Sequence, residues 1–422
     1  MIKDAKGTRV ALDTLGCKLN QAETGLIARQ LAEAGCRLVS PADAADIYIL
    51  NTCTVTHIAD RKSRHRLRLA RRRNPDALLV AIGCYPQRAG EELARIDGVG
   101  LAVGNGDKMR LVSLLREAGY LAKTADIRPA GSPNGLRNRA LIKVQDGCDS
   151  FCTYCIVPLV RGRPRSLPAD EIVSQAGARV AQGYKELVLT GTEIGRYSYD
   201  GLNLAGLTGR ILSDTGVGRL RLTSLQPPEI APELVALWRN PRLCRHFHLS
   251  LQSGSDSVLK RMKRRYSAGD YQKAVALVRS VVPEAAITTD VIVGFPGETE
   301  DEFRESYSFC QKLGFARIHV FPFSPRPGTE AAQMPGKVSA AVKKRRSEQM
   351  LALAEQSAGS FRQRFLGQTM PVLWEQQSKG GVWSGLTDNY IRVYAKSDDD
   401  LANKLLPAKL VRLYKDGVWG EV

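Results

Sequence analysis

A chain of 422 residues, 43% of them hydrophobic, can bury a sizeable core and by length divides into two or three domains. It opens on charged residues rather than an apolar leader, and no run approaches the roughly eighteen apolar residues that cross a membrane, so a soluble, cytosolic protein is expected. Lys plus Arg number 61 against 43 Asp plus Glu, a net charge of +18 that points to a polyanionic partner, nucleic acid first; a merely solubilising basic surface explains the same total, so the distribution of charge must decide.

In chain order, three apolar strand-like runs come first: "RVALDTLGC", "DIYILNTC" and "ALLVAIGC" each end one or two residues before a cysteine, namely Cys17, Cys53 and Cys84. A helical pattern follows the first run, from Asn20 through Leu38, and a basic helix follows the second. Alternating strand and helix predict a parallel sheet. The carboxyl ends of such strands share one edge, where ligands bind, so the three thiols are expected to converge there. Three unrelated buried thiols are the plainer alternative, and the shared strand-end position argues against it.

The basic helix gathers Arg61, Lys62, Arg64, Arg66, Arg68, Arg71, Arg72 and Arg73 around Leu67, Leu69 and Ala70. Positions 61, 64, 68, 71 and 72 share a face that suits a phosphate backbone, although a solvated helix face has the same pattern.

Nine cysteines without a secretion signal argue for metal ligation over disulfides. Cys148, Cys152 and Cys155 form C-x3-C-x2-C in "GCDSFCTYC". Three thiolates on one loop can cap three irons of a cubane and leave the fourth open, whereas structural zinc takes four ligands and no fourth Cys or His lies nearby. S-adenosylmethionine (SAM) can chelate that open iron and accept an electron into its sulfonium bond. Tyr154 offers a flat contact for adenine or a ring for the loop's own core. Cys36, Cys244 and Cys310 read as small core residues. The histidines, His57, His246 and His248 among them, show no metal spacing and read as structural.

From Arg139 to about Thr329, six strand-like runs alternate with amphipathic helices: Leu141 to Val144, Glu186 to Thr190, Arg219 to Leu222, His246 to Leu251, Ala286 to Val293 and Arg317 to Phe321. Six units predict a partial (β/α) barrel with the loops after the strands on one rim. Ser250 and Gln252 alternate with Leu249 and Leu251, which turns the polar pair inward, toward a ribose or toward backbone partners. Glu193 in "TGTEIG" can meet the SAM ammonium or cap a loop. In "VGFPGET", Gly294 and Gly297 let backbone approach a cofactor, and Thr299 with Glu302 starts a helix by a capping box. A charged linker from Lys343 to Arg364 leads at Gly367 into short runs that read as a small antiparallel β-barrel. Its Trp374, Trp383 and Tyr390 can stack on bases or fill the core.

The strings "TLGCKLNQAET", "NTCTVT", "GCYPQR", "GCDSFCTYCIVPLVRGRPRS", "HLSLQSGSDSVLKRMKRRY", "TDVIVGFPGETEDEF" and "FPFSPRPGT" resemble the radical-SAM methylthiotransferases over essentially the whole chain. The resemblance implies an α/β protein of three parts: a cluster domain over 1–125, a radical-SAM core over 134–362, and a TRAM-like RNA-binding barrel over 363–422. It further implies two [4Fe-4S] clusters, one on Cys148, Cys152 and Cys155 that cleaves SAM and an auxiliary one on Cys17, Cys53 and Cys84. One SAM methylates sulfur at the auxiliary cluster, and a second yields a 5′-deoxyadenosyl radical that removes hydrogen from the carbon to be modified. "GCKLNQ" and "NTCTVT" look like the branch acting on N6-threonylcarbamoyladenosine beside the tRNA anticodon. The alternatives are the isopentenyladenosine branch, the branch modifying a ribosomal-protein aspartate and, more remotely, a non-catalytic iron-sulfur RNA-binding protein. SAM contacts from Tyr154, Glu193, Ser250, Gln252 and Gly294, tRNA contacts from Arg61, Arg64, Arg68, Arg71 and Arg72, and a monomer are expected. An electron donor and a sulfur source, neither named by the sequence, complete the partners.

Overall fold

The computed structural model describes residues 7–122 and 138–422; the expected boundaries at 125 and 134 lie outside them. Two compact units emerge. The first lies within Met1–Leu136 and takes in Gly147–Pro164 and Ser324–Ala332; the second comprises Arg137–Asp146, Arg165–Phe323 and Gln333–Val422.

In the first unit, strands β1 (Arg9–Thr14), β2 (Arg37–Val39), β3 (Ile47–Thr52), β4 (Leu78–Gly83) and β5 (Val99–Val103) form one sheet in the order β2-β1-β3-β4-β5, all pairs parallel. Every residue of central β3 is buried, which explains its unbroken apolar run: helices cover both sheet faces. Ile47 and Ile49 pack with Val80 and Ile82 on one face, Tyr48 and Leu50 with Leu79 and Ala81 on the other. Helices α1 (Lys18–Glu33), α2 (His57–Arg73) and α3 (Cys84–Ala94) follow β1, β3 and β4.

The helix expected to run to Leu38 stops at Glu33. The chain turns at Gly35, and Arg37–Val39 pairs with β1 from Arg9 to Ala11 instead. Leu38 kept the apolar spacing of a helix, but an open sheet edge offers backbone partners that a frayed helix end lacks.

In the second unit, Arg139–Lys143, Glu186–Thr190 and Arg219–Leu222 form one parallel sheet, and Ser224–Leu225, His246–Leu249, Ala286–Val293 and Arg317–Pro322 another. Taken in chain order these strands trace the expected partial barrel. Alternate residues Phe247, Leu249, Ile287, Val291 and Val293 join its large apolar core, which leaves a lumen-facing row that includes His246, His248, Thr288 and Asp290. The extended run ends at Leu249 rather than Leu251, and Gln252 takes a positive φ of 69°. The simple alternation expected through Gln252 is therefore broken by a local bend.

Thr369–Gln377, Val382–Thr387, Arg392–Lys396, Leu405–Tyr414 and Gly417–Glu421 close a five-stranded barrel, as expected. Trp374 and Trp383 fill its core, so neither offers a base-stacking surface. Tyr390 stacks on His246 at 4.5 Å and lies 4.8 Å from the Arg221 guanidinium. Within this unit Arg219 donates to the carbonyls of Leu386 and Pro371, Arg221 donates to the Asp388 carbonyl at 3.0 Å, and Arg245 pairs with Asp388 at 2.6 Å. Charge-assisted bonds of this kind join the small barrel to the partial one.

Candidate functional site

Cys17, Cys53 and Cys84 each stand at the carboxyl end of one of three neighbouring strands: Cys17 caps the start of α1, Cys53 follows β3, and Cys84 opens α3. Two glycines make the approach possible. Gly16 has φ 103° and a Cβ there would lie 2.7 Å from Cβ of Cys53; Gly83 has φ 98° and a Cβ there would meet Asn51 Oδ1 at 2.5 Å. Only glycine adopts such angles at no cost while leaving that room. The pattern "GC" after a strand was therefore a signal beyond the cysteines themselves. Burial pushes the Cys53 thiol up to about 12, with Cys84 and Cys17 adding to the rise and Arg161 opposing it. Burial likewise pushes Cys36 up to about 11 and Cys310 and Cys244 to about 12, in keeping with their core positions.

The loop with Cys148, Cys152 and Cys155 belongs to the same compact unit. It is irregular until the short helix Val157–Arg161; Val160 of that helix and Ile156 just before it pack against Cys84. Arg161 donates to Asn20 Oδ1 at 2.5 Å and to Glu23 Oε2 at 3.2 Å. Asn20 in turn donates to the carbonyls of Leu15 and Thr52, beside Cys17 and Cys53. One buried polar network therefore joins the helix that follows the loop triad to the strand ends that carry Cys17 and Cys53, and sequence spacing gave no sign of it. A second cluster follows Cys53: Asp60 accepts from Thr54, from Arg88 at 3.2 Å and from Arg326 at 2.6 Å. Tyr154 is half-buried in this loop.

The donor set suits a polynuclear group. Each triad offers three soft thiols, the ligand type that holds iron-sulfur clusters. Among the described residues, the one set of three or more Cys, His, Asp or Glu side chains with ligand atoms within 4.8 Å of one another is His248, Asp290 and His319, so neither triad is drawn in to single-ion spacing.

Helix α2 starts at Thr56, whose hydroxyl accepts from the Ala59 amide, a cap that stabilises by about 1 kcal/mol. Its last turn carries Arg71, Arg72 and Arg73, where the helix dipole favours cations. The stripe expected from five arginines divides in two. Arg61, Arg68 and Arg72 are exposed, whereas Arg64 pairs with Glu92 at 2.9 Å and Arg71 with Asp97 at 2.9 Å. Glu92 sits on α3 and Asp97 in the turn that follows it, and both were invisible in a charge count of α2. Arg64, Arg68, Arg71, Arg72 and Arg95 line an open depression of about 790 Å³.

In the second unit, Glu193 accepts from Gln226 Nε2 and pairs with Arg196 at 3.7 Å; its side chain makes no helix cap. Arg264 donates to Gln226 Oε1 at 2.7 Å. Glu229 accepts from the Gln226 amide, and burial together with the Glu193 charge pushes its carboxyl up to about 7. Ser250 is half-buried and Gln252 buried, with the Gln252 amide donating to Asp290 O. A Cβ at Gly294 would lie 2.2 Å from Cγ of Lys343, so this position needs glycine to let the Lys343 side chain pass. Thr299 and Glu302 form the expected capping box.

Sequence spacing also missed His248, Asp290 and His319. His248 Nε2 lies 3.2 Å from Asp290 Oδ2, and its Nδ1 lies 3.0 Å from Thr288 Oγ1. They come from three adjacent strands, so only the sheet register unites them.

A family model described as the Radical SAM superfamily matches residues 142–310, and one described as Uncharacterized protein family UPF0004 matches residues 9–104. The threonylcarbamoyladenosine tRNA methylthiotransferase MtaB of Bacillus subtilis is 37% identical, covering 96% of this chain and 94% of its own length. The protein of that name from Thermotoga maritima is 39% identical, covering 91% and 90%. The chain belongs to the tRNA methylthiotransferase family. It is thus a radical-SAM enzyme that transfers a sulfur-containing group. The tRNA-2-methylthio-N(6)-dimethylallyladenosine synthase of Syntrophotalea carbinolica is 32% identical over 97% of this chain. Among solved structures, the radical S-adenosylmethionine methyltransferase TsrM of Kitasatospora setae aligns with a TM-score of 0.57 and 17% identity, over 77% of each chain, a likeness of fold.

Proposed function

We propose that this methylthiotransferase converts N6-threonylcarbamoyladenosine beside the tRNA anticodon to its 2-methylthio derivative. The observation that carries this reading is the grading of its relatives: four full-length proteins named for threonylcarbamoyladenosine are 36–39% identical, and four named for dimethylallyladenosine are 29–33% identical.

In this reading Cys148, Cys152 and Cys155 hold one iron-sulfur cluster and Cys17, Cys53 and Cys84 a second. When bound, the clusters and SAM would supply a hydrogen-abstracting radical and the methyl group that accompanies the transferred sulfur. The chain's own part is placement. Asn20 and Arg161 hold the strand ends and the three-cysteine loop in one hydrogen-bonded arrangement. Glu193 is a carboxylate available to the SAM ammonium, kept in place by Gln226 and Arg196. Ser250 and Gln252 are polar groups for its ribose, and Tyr154 a flat surface for its adenine. Arg61, Arg68 and Arg72 meet tRNA phosphates. The protein acts as a cytosolic monomer.

The test is mass spectrometry of nucleosides from tRNA incubated anaerobically with reconstituted enzyme, SAM, reductant and sulfide. A methylthio gain on threonylcarbamoyladenosine is expected. Gain on isopentenyladenosine alone would overturn the choice of substrate.

A further inference from the structure

Lys108 is 1% exposed, and a buried ammonium is costly unless its donors are met. It donates to Glu23 Oε2 at 2.5 Å and to Asn105 Oδ1 at 2.6 Å. Because an ammonium can only donate, the end of the Asn105 amide that faces it must be the oxygen. The other end, the NH2 group, is thereby turned away from Lys108. It donates to the Val160 carbonyl at 2.7 Å and to Cys84 Sγ at 3.4 Å. Cys84 is buried, with Ile156 and Val160 packed against it. A neutral thiol is a weak acceptor, whereas a thiolate, free or metal-bound, accepts strongly. The amide is thus oriented toward the charged form of this sulfur.

We infer that Asn105, oriented by Lys108, is a positioning residue that polarises the Cys84 sulfur and raises the reduction potential of the group bound there. The inference rests on the reading of Cys17, Cys53 and Cys84 as ligands of an iron-sulfur cluster. Hydrogen bonds to ligand sulfurs and nearby positive charges stabilise the more negative, reduced state of such a cluster. Glu23, which accepts from Lys108, acts in the opposite sense.

The experiment uses the full-length chain with Cys148→Ala, Cys152→Ala and Cys155→Ala together, reconstituted with iron and sulfide, so that one cluster signal remains. Its midpoint potential is read by redox titration with electron paramagnetic resonance. Asn105→Asp, which sets an acceptor against the sulfur, and Lys108→Met should lower the potential; Glu23→Gln should raise it. Should Lys108→Met fail to fold, Asn105→Leu, which deletes the donor to the sulfur together with the oxygen that Lys108 meets, carries the same downward expectation. An unmoved potential, or shifts of one sign in all variants, would overturn the inference while leaving the ligand assignment standing. A triple-alanine chain with intact thermal unfolding that takes up no iron-sulfur chromophore would overturn the ligand assignment and the inference with it.

Discussion

The two cysteine triads share one compact unit but are assembled by opposite means. Cys148, Cys152 and Cys155 lie within eight residues of one irregular loop, so chain connectivity alone keeps them close. Cys17, Cys53 and Cys84 are separated by dozens of residues and meet only because β1, β3 and β4 are adjacent in a parallel sheet. A loop triad can keep its ligand geometry through damage elsewhere in the fold, whereas a strand-end triad depends on the whole sheet. This difference matters for an enzyme proposed to divide its chemistry between the two.

The largest effect should come from breaking the triads separately. Cys148→Ala should abolish SAM cleavage, measured as 5′-deoxyadenosine formed. Cys53→Ala should leave cleavage measurable and abolish methylthio transfer to tRNA. Equal loss of both activities in a folded Cys53 variant would erase the functional distinction.

A smaller effect gives the polar rim of the second unit as a contrast. Glu229 carries a folded-state value of about 7 against an ordinary 4.5, so between those values the folded chain holds a proton that the unfolded chain has released. Stability therefore falls as pH rises through that window and levels off above it, a total of about 3 kcal/mol. Glu229→Gln should melt at a higher temperature than its parent at pH 8, and the gap should close toward pH 5.

Gly83→Ala tests the dependence of the strand-end triad on its sheet. The side chain would strain a backbone at φ 98° and press on Asn51, at a cost of about 2 kcal/mol. Iron bound at Cys17, Cys53 and Cys84 should fall, with SAM cleavage retained. Smallest, charge reversal at exposed Arg68 and Arg72 should weaken tRNA binding about tenfold and flatten its salt dependence, while Arg71→Ala, already paired to Asp97, should change little.

The loop triad was legible from spacing because its geometry is local. The strand-end triad was legible from a repeated run-then-cysteine pattern, since strand ends converge by topology. The ion pairs of Arg64 and Arg71 were not legible because their partners, Glu92 and Asp97, come from outside the helix. That Lys343, about fifty residues on, packs against Gly294 was not legible either, because the two meet only in the fold. The helix predicted to Leu38 failed because propensity along the chain cannot weigh the hydrogen bonds waiting at a sheet edge.

By itself, the sequence determined the α/β class, the two sets of three cysteines, the capping box at Thr299 and the small terminal barrel. Each follows from short-range periodicity or from residue types whose chemistry is intrinsic. Tertiary structure alone decided that Lys108 would orient Asn105 toward Cys84, that Arg161 would reach Asn20 and Glu23, and that His248, Asp290 and His319 would meet. Those outcomes depend on sheet register and on side chains far apart in sequence, and no local pattern encodes which distant donor will find which acceptor.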